Sequence, residues 1–275
     1  MENNNSLSVA DVDGNIYKTV KIGNQIWMAE NLRTSTFRNG EKIEHIGPFN
    51  PSDEELIWKG TDEWITRGNF SKPASCEFNF EASYNKKYGL LYNWAAVNDP
   101  RGLAIDGWHI PTKNDWEELI EHLGGDALAF SKLKHTHGWY YDVDFDGNGN
   151  NISGFGGLPG GICLDGHFCE IEADDDGWVF VHEYFERVGE WWSSSVEKDS
   201  ETIYAWALKI FLYRSLGGEL LAKQNQENGL SVRCIKNNYP QKSDEEVDSS
   251  DWPTESEMHP NWDGPQDYIG WEDDF

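Results

Sequence analysis

Basic residues are scarce in this chain of 275 residues: 22 Lys and Arg stand against 49 Asp and Glu, a formal net charge of −27. A surface of that sign repels phosphates and anionic headgroups, which argues against nucleic acid and acidic membranes as partners and favours cationic ones. Long apolar runs are missing as well. No stretch reaches 18 residues, so no membrane insertion through a helix is expected. The opening, "MENNNSLSVADVDGN", has neither a basic n-region nor an apolar h-region, and no signal peptide is read there. Cysteine is sparse too. Four residues (Cys76, Cys163, Cys169 and Cys234) are too few for a disulfide-dense scaffold of this length. Cys163 and Cys169 flank Asp165-Gly166, a hairpin-turn signal across which they either pair or simply pack. Phosphate loops, nucleophile elbows and a Ser-His-Asp order are absent, so no catalytic constellation is found and the chain is not expected to be an enzyme.

What the chain does have is aromatic mass, including 14 tryptophans, and enough length to bury a substantial core. Composition breaks after Asn237. Residues 238–275 hold twelve acids against one lysine, so they carry −11 of the net charge and leave −16 on the rest. This segment has no helical or alternating periodicity and reads as a disordered acidic tail. Its Trp252, Trp262, Trp271 and Phe275 are spaced aromatics on an acidic tether, the pattern of a docking segment for a cationic protein partner or for the protein's own body. Residues 1–10 read as a flexible N-terminus and 11–237 as one domain.

Within that domain, two alternating strands are predicted over residues 16–22 and 25–28, turning at Gly23-Asn24. "TDEWITRG" suggests a short helix, whereas periodicity leaves the type of "YGLLYNWAAV" open. "HIPTKNDWEELIEHLGG" is the clearest helix. Thr112 takes the N-cap with Asp115 three residues on, Trp116, Leu119, Ile120 and Leu123 share one face, and Gly124-Gly125 stops it. Strand and turn follow from residue 138 to 237, which makes the domain α+β, with its first and last strands placed to pair.

One stretch imitates a calcium loop. In "DVDFDG", Asp142, Asp144 and Asp146 precede Gly147 with EF-hand spacing, but the twelfth position is Ser153, which offers no bidentate carboxylate, and no helix is predicted to enter the loop. The EF-hand is rejected. A looser calcium site drawing on Asp174, Asp175 and Asp176, or a plain turn, remains; calcium is the one cofactor considered. His135 and His137 share a strand face, yet no third ligand has metal spacing, so they read as ordinary surface or core histidines.

Five segments in order, "DGNIYKTVKIGNQIWMAENL", "YGLLYNWAAVNDPRGLAIDGWHIPTKNDWEELIEHLGG", "SGFGGLPGG", "EWWSSS" and "GLSVRCIKN", resemble the Fibrobacter succinogenes major paralogous (FISUMP) domain family. The resemblance implies a C-type lectin-like fold, whose long loop region often holds calcium. It also implies an extracellular or cell-surface setting in Bacteroidetes and related bacteria, while the missing leader leaves a cytoplasmic or phage-associated one open. Some similar domains are varied by diversity-generating retroelements in the region before the final strand, which here is residues 204–225. Many members carry a cysteine where this chain has Ala104, a partner for the cysteine of "SVRC"; Cys234 therefore lacks that bridge.

From these features a non-catalytic binding module is expected, recognising a protein or glycan through its C-terminal strands. Trp192, Tyr204, Trp206, Lys209, Tyr213 and Arg214 are the candidate contacts, since amphipathic aromatics mixed with Arg and Lys make interaction surfaces. Trp191 and Trp192 point to opposite faces of a strand, so one of them at most is exposed. The alternatives are an assembly component of a surface or phage-like structure held by the tail, and a formylglycine-oxidase-like enzyme using Cys163 and Cys169.

Overall fold

A computed structural model describes residues 8–48, 59, 62–64, 72–141, 146–164, 166–173, 179–183, 186–199, 202–212 and 219–237. The tail residues Trp252, Trp262, Trp271 and Phe275 lie outside this set, as do Asp142, Asp144, Tyr213 and Arg214.

The chain opens with three antiparallel strands, β1 (Ser8–Ala10), β2 (Ile16–Ile22) and β3 (Gln25–Met28), with β2 and β3 spanning the predicted hairpin. β4 (Glu44–Ile46) and β5 (Ala74–Cys76) follow, then helix α1 (Ala82–Tyr88). The ambiguous apolar run divides into β6 (Leu91–Tyr92) and α2 (Trp94–Val97), because the Asn93 side chain accepts from Ala96 N and caps a new helix there. In the "TDEWITRG" segment, residues 62–64 are helical, and Trp64 is buried with its indole N–H on the Glu227 carbonyl.

β7 (Trp108–His109) leads into α3 (Lys113–His122), which carries the predicted capping box: the Thr112 hydroxyl accepts from Asp115 N, and the Asp115 carboxylate accepts from Thr112 N. Its buried Trp116, Leu119 and Ile120 each contribute roughly 1.5–3 kcal/mol of burial. α4 (Asp126–Leu133) packs beside it. The second half is strand: β8 (Cys169–Ala173) with β9 (Val179–Glu183) as a separate hairpin, then β10 (Val188–Asp199), β11 (Thr202–Phe211), β12 (Leu221–Gln224), β13 (Leu230–Ser231) and β14 (Ile235–Lys236).

Two larger sheets result. One runs β1-β2-β3-β14-β7, the other β12-β11-β10-β13-β6-β5-β4. The final strands therefore sit inside both sheets: Ile235 pairs with Trp27 and with His109, and Ser231 pairs with Trp191 and with Leu91. The first and last strands of the domain do not pair with each other: β14 pairs with β3, the second strand of the predicted hairpin, and with β7, while β1 and β2 lie outside that contact.

The side chain of Asn31 joins the parts. Its carbonyl oxygen accepts from the Trp191 indole N–H at 2.7 Å and from Nε and Nη2 of Arg233 at 3.1 and 2.8 Å. Its amide nitrogen donates to the Tyr88 carbonyl at 2.8 Å and to the Ser231 hydroxyl at 3.2 Å. All of this is buried. Around it, Trp27 stacks on Trp116 with ring centroids 4.6 Å apart, and Phe155 meets Trp27, Trp116 and Trp191 edge-on.

A second buried cation lies nearby in the fold. Lys134 is 1% exposed, donates to the carbonyls of Phe211 and Leu212, and sits over the rings of Trp139 and Phe130. Burial pulls its ammonium down to about 8, only partly opposed by Asp146.

Two tests follow from these buried groups. Asn31→Ala strips the acceptor from three buried N–H donors and should cost about 3–5 kcal/mol in urea unfolding; a loss under about 1 kcal/mol would remove Asn31 from this role. Between pH 8 and 10 the unfolded state binds the proton that folded Lys134 gives up, so stability should rise with pH across that window. Lys134→Met should flatten the rise, and an unaltered slope in that variant would assign the proton to another group.

Candidate functional site

The strand pair β10–β11 is where the candidate residues converge, and an irregularity in it decides which of them reach solvent. Pairing is regular from Val188↔Phe211 to Trp192↔Ala207 and resumes at Val196↔Ala205, so residues 193–195 bulge opposite Trp206. Two of the three serines of the bulge clamp the start of α3, and the Ser193 hydroxyl accepts from Ser195 N within it. Ser194 N donates to the Pro111 carbonyl at 2.7 Å, and the Ser195 hydroxyl accepts from Lys113 N at 2.9 Å. Helix and strand are thus pinned together at one end and part at the other.

Trp206 stands in the opening. Its neighbours on the same strand face, Leu208 and Ile210, belong to the buried core, whereas Trp206 itself is half-exposed and lines a groove of about 620 Å³ between α3 and the β11–β12 edge. Ile120 and Leu221 supply apolar wall, and Glu117, Glu121, Asp126 and Glu219 supply carboxylates. The Lys113 ammonium lies 4.4 Å from the Trp206 ring centroid and pairs with Glu117 at 3.0 Å, fixing one face of the indole. Glu197, its carboxyl held low by Lys223 at 2.7 Å and also facing the Trp206 side chain, steadies the far edge. Tyr204 follows on the same face, half-buried and opposite Glu197 in register. An aromatic plate with one fixed edge, apolar walls and an acidic rim can hold a neutral or cationic ligand.

Two candidates are placed elsewhere. Trp192 is a core residue, a correction to its reading as a ligand contact: it is fully buried, its indole donates to the Tyr92 carbonyl at 2.7 Å, and it packs edge-on against Trp94. Trp191 and Trp192 do point to opposite faces, but each face is covered by a core of its own, so neither is exposed. Lys209 is engaged by Glu190 at 3.3 Å, a carboxylate that is fully buried and raised by desolvation, and that also accepts from Gln224 Nε2.

Of the calcium candidates, only Asp146 is described, and its Oδ1 accepts from Asn148 N and Nδ2 in a local turn. Groups of three or more metal-ligating side chains are absent among the described residues. His135 and His137 lie with ring centroids 3.9 Å apart, and His135 is lowered by burial, by His137 and by Arg233. His109 bridges Asn237 and Asp115, and the hydrogen bond to Asp115 raises it.

Cys163 does not form the disulfide that its place across the Asp165-Gly166 turn allowed. Cys76, Cys163 and Cys234 are free and buried. Cys163 bridges through its backbone to Gly229, and its thiol meets that of Cys76, which burial and this contact push well up. Cys234 is pushed by burial up to about 12 and touches the backbone of Ile105, next to Ala104 in the same core.

The groove's acids escaped the sequence reading because helix-face glutamates look like ordinary solvated positions. Only the placement of β12 beside α3 turns them toward Trp206.

The family model for the Fibrobacter succinogenes major domain matches residues 20–236, and the chain belongs to that family. Comparisons with curated proteins and with solved structures each return no match.

The position of Ala104 yields a test. Ala104→Cys should form a disulfide with Cys234 on air oxidation, seen as the loss of two hydrogens by mass spectrometry, with stability gained up to about 4–5 kcal/mol for so long a loop. A variant that stays reduced would place the two residues in unsuitable geometry.

Proposed function

We propose that this protein is a non-catalytic binding module with a C-type lectin-like fold, and that the groove beside Trp206 takes a glycan. The observation that carries the reading is Trp206 itself: a tryptophan held half-exposed by a strand bulge, on a strand whose neighbouring side chains are otherwise core. The apolar face of a sugar ring stacks on such a plate, and carboxylates on the rim accept from its hydroxyls. The α+β composition, with β3 near the start of the domain paired to β14 at its end, supports the fold assignment. A protein ligand is the second reading, favoured by the four acids around the groove, which suit a segment bearing Lys or Arg.

A glycan array and a pull-down, run on the parent and on Trp206→Ala, separate these readings. Glycan binding is expected to fall at least about tenfold in the variant, the loss typical of a central aromatic contact, with its melting temperature close to the parent's. Array signals equal in parent and variant would overturn the groove as the site. Capture of a basic polypeptide, lost in the variant and with no glycan hit, would favour the second reading.

A further inference from the structure

A second cavity, sharing no lining residue with the groove, has the opposite electrostatic character. It encloses about 430 Å³ between β2, residues 29–33, the end of α1 and the loop at residues 151–158. In a chain of net charge −27, five of its lining side chains are cations: Lys18, Arg33, Lys86, Lys87 and Arg233. Glu30 is the one acid among the lining residues, and Arg33 already pairs with it at 3.3 Å.

Arg233 is the informative member. It is 1% exposed, and all of its hydrogen bonds go to neutral oxygens, those of Asn31 and the Phe155 carbonyl. The rings of Phe155 and Trp191 flank it, and among the described residues no carboxylate forms an ion pair with it, the charge of Glu30 acting on it only from a distance. A guanidinium offers five N–H donors and is expensive to bury without a counter-charge. Lys18 and Lys86 are exposed at the mouth, and neither is paired with a described acid. The floor is kept open at Gly156, whose φ of 66° suits glycine and whose missing Cβ would meet His135 and the Ala29 carbonyl.

We propose that this cavity binds one oxyanionic group of a small ligand, a carboxylate, sulfate or phosphate, with Arg233 supplying the buried charge and Lys18 and Lys86 closing over it. Guanidinium and ammonium donors converging on one cavity make charge-assisted hydrogen bonds that a neutral ligand cannot replace. The site is independent of the glycan reading and stands or falls without it.

Calorimetric titration with sodium glucuronate, sulfate and phosphate, each at matched ionic strength and beside neutral glucose, tests the proposal. At least one anion should bind saturably to the parent, at least about tenfold more weakly to the double variant Lys18→Gln/Lys86→Gln, and unchanged to Trp206→Ala. A saturating anion should also raise the melting temperature by about 2–4 °C in the parent above the rise seen in the double variant; the comparison cancels the general stabilisation that sulfate and phosphate give any protein. The ranking of the three anions identifies the group. No saturable binding, equal binding to parent and double variant, or glucose binding as well as glucuronate in the Trp206→Ala variant, where the groove is disabled, would each overturn the proposal. Both lysines are exposed, so the double variant retains the fold.

Discussion

One carboxamide holds this domain in register. The carbonyl oxygen of Asn31 accepts three N–H donors and its amide donates twice, so a single side chain reaches the end of β3, the last residue of α1, a core tryptophan of β10 and the segment from β13 to β14. Those four places are far apart in sequence, and each lies in one of the motifs shared with the family: "MAENL", "YGLLYNW", "EWWSSS" and "SVRC". Their convergence on one side chain has a physical reason here. An aspartate would bring a full negative charge and lose both donors, and an alanine would leave buried N–H groups without a partner. Asparagine satisfies both sides of the junction while leaving Arg233 charged and unneutralised.

The exposure of Trp206 depends on the same logic at a second junction. Strand β10 presents two tryptophans, one to each core, and continuing that pairing would leave β11 wholly committed to packing. The serine bulge interrupts it. By giving hydrogen bonds to the turn before α3, the bulge spaces helix and strand apart where Trp206 emerges. The acids along the helix are then directed at the indole by geometry rather than by any local sequence feature.

Much of this could be read from residues alone, where the signal was local. The α3 capping box is written in four consecutive residues and the β2–β3 turn in two, and both formed as expected. Segment order placed the family. Failures came where long-range packing decides. Nothing local distinguishes Trp192, covered by Trp94 and Tyr92, from Trp206, which faces the bulge and lines the groove. Lys209 read as a surface contact because its buried acid, Glu190, is nineteen positions away and becomes a neighbour only through strand pairing. The cations of the second cavity were not singled out from the sequence, because Lys18, Lys86, Lys87 and Arg233 come from distant parts of it and meet only in the fold.

The insertion of β13 and β14 into the interior of both large sheets carries a consequence for how the chain acquires its structure. Until Leu230–Ser231 and Ile235–Lys236 are available, β6 and β10 have no strand between them, and β3 and β7 stand as unpaired edges. On a translating ribosome the N-terminal hairpin must wait for almost the whole domain to emerge before its sheet can close. The folding nucleus is thereby forced to be non-local, slow to assemble and exposed at its edges while it waits. The strong negative charge of the chain then has a use before any ligand is met, since it keeps such waiting chains apart from one another.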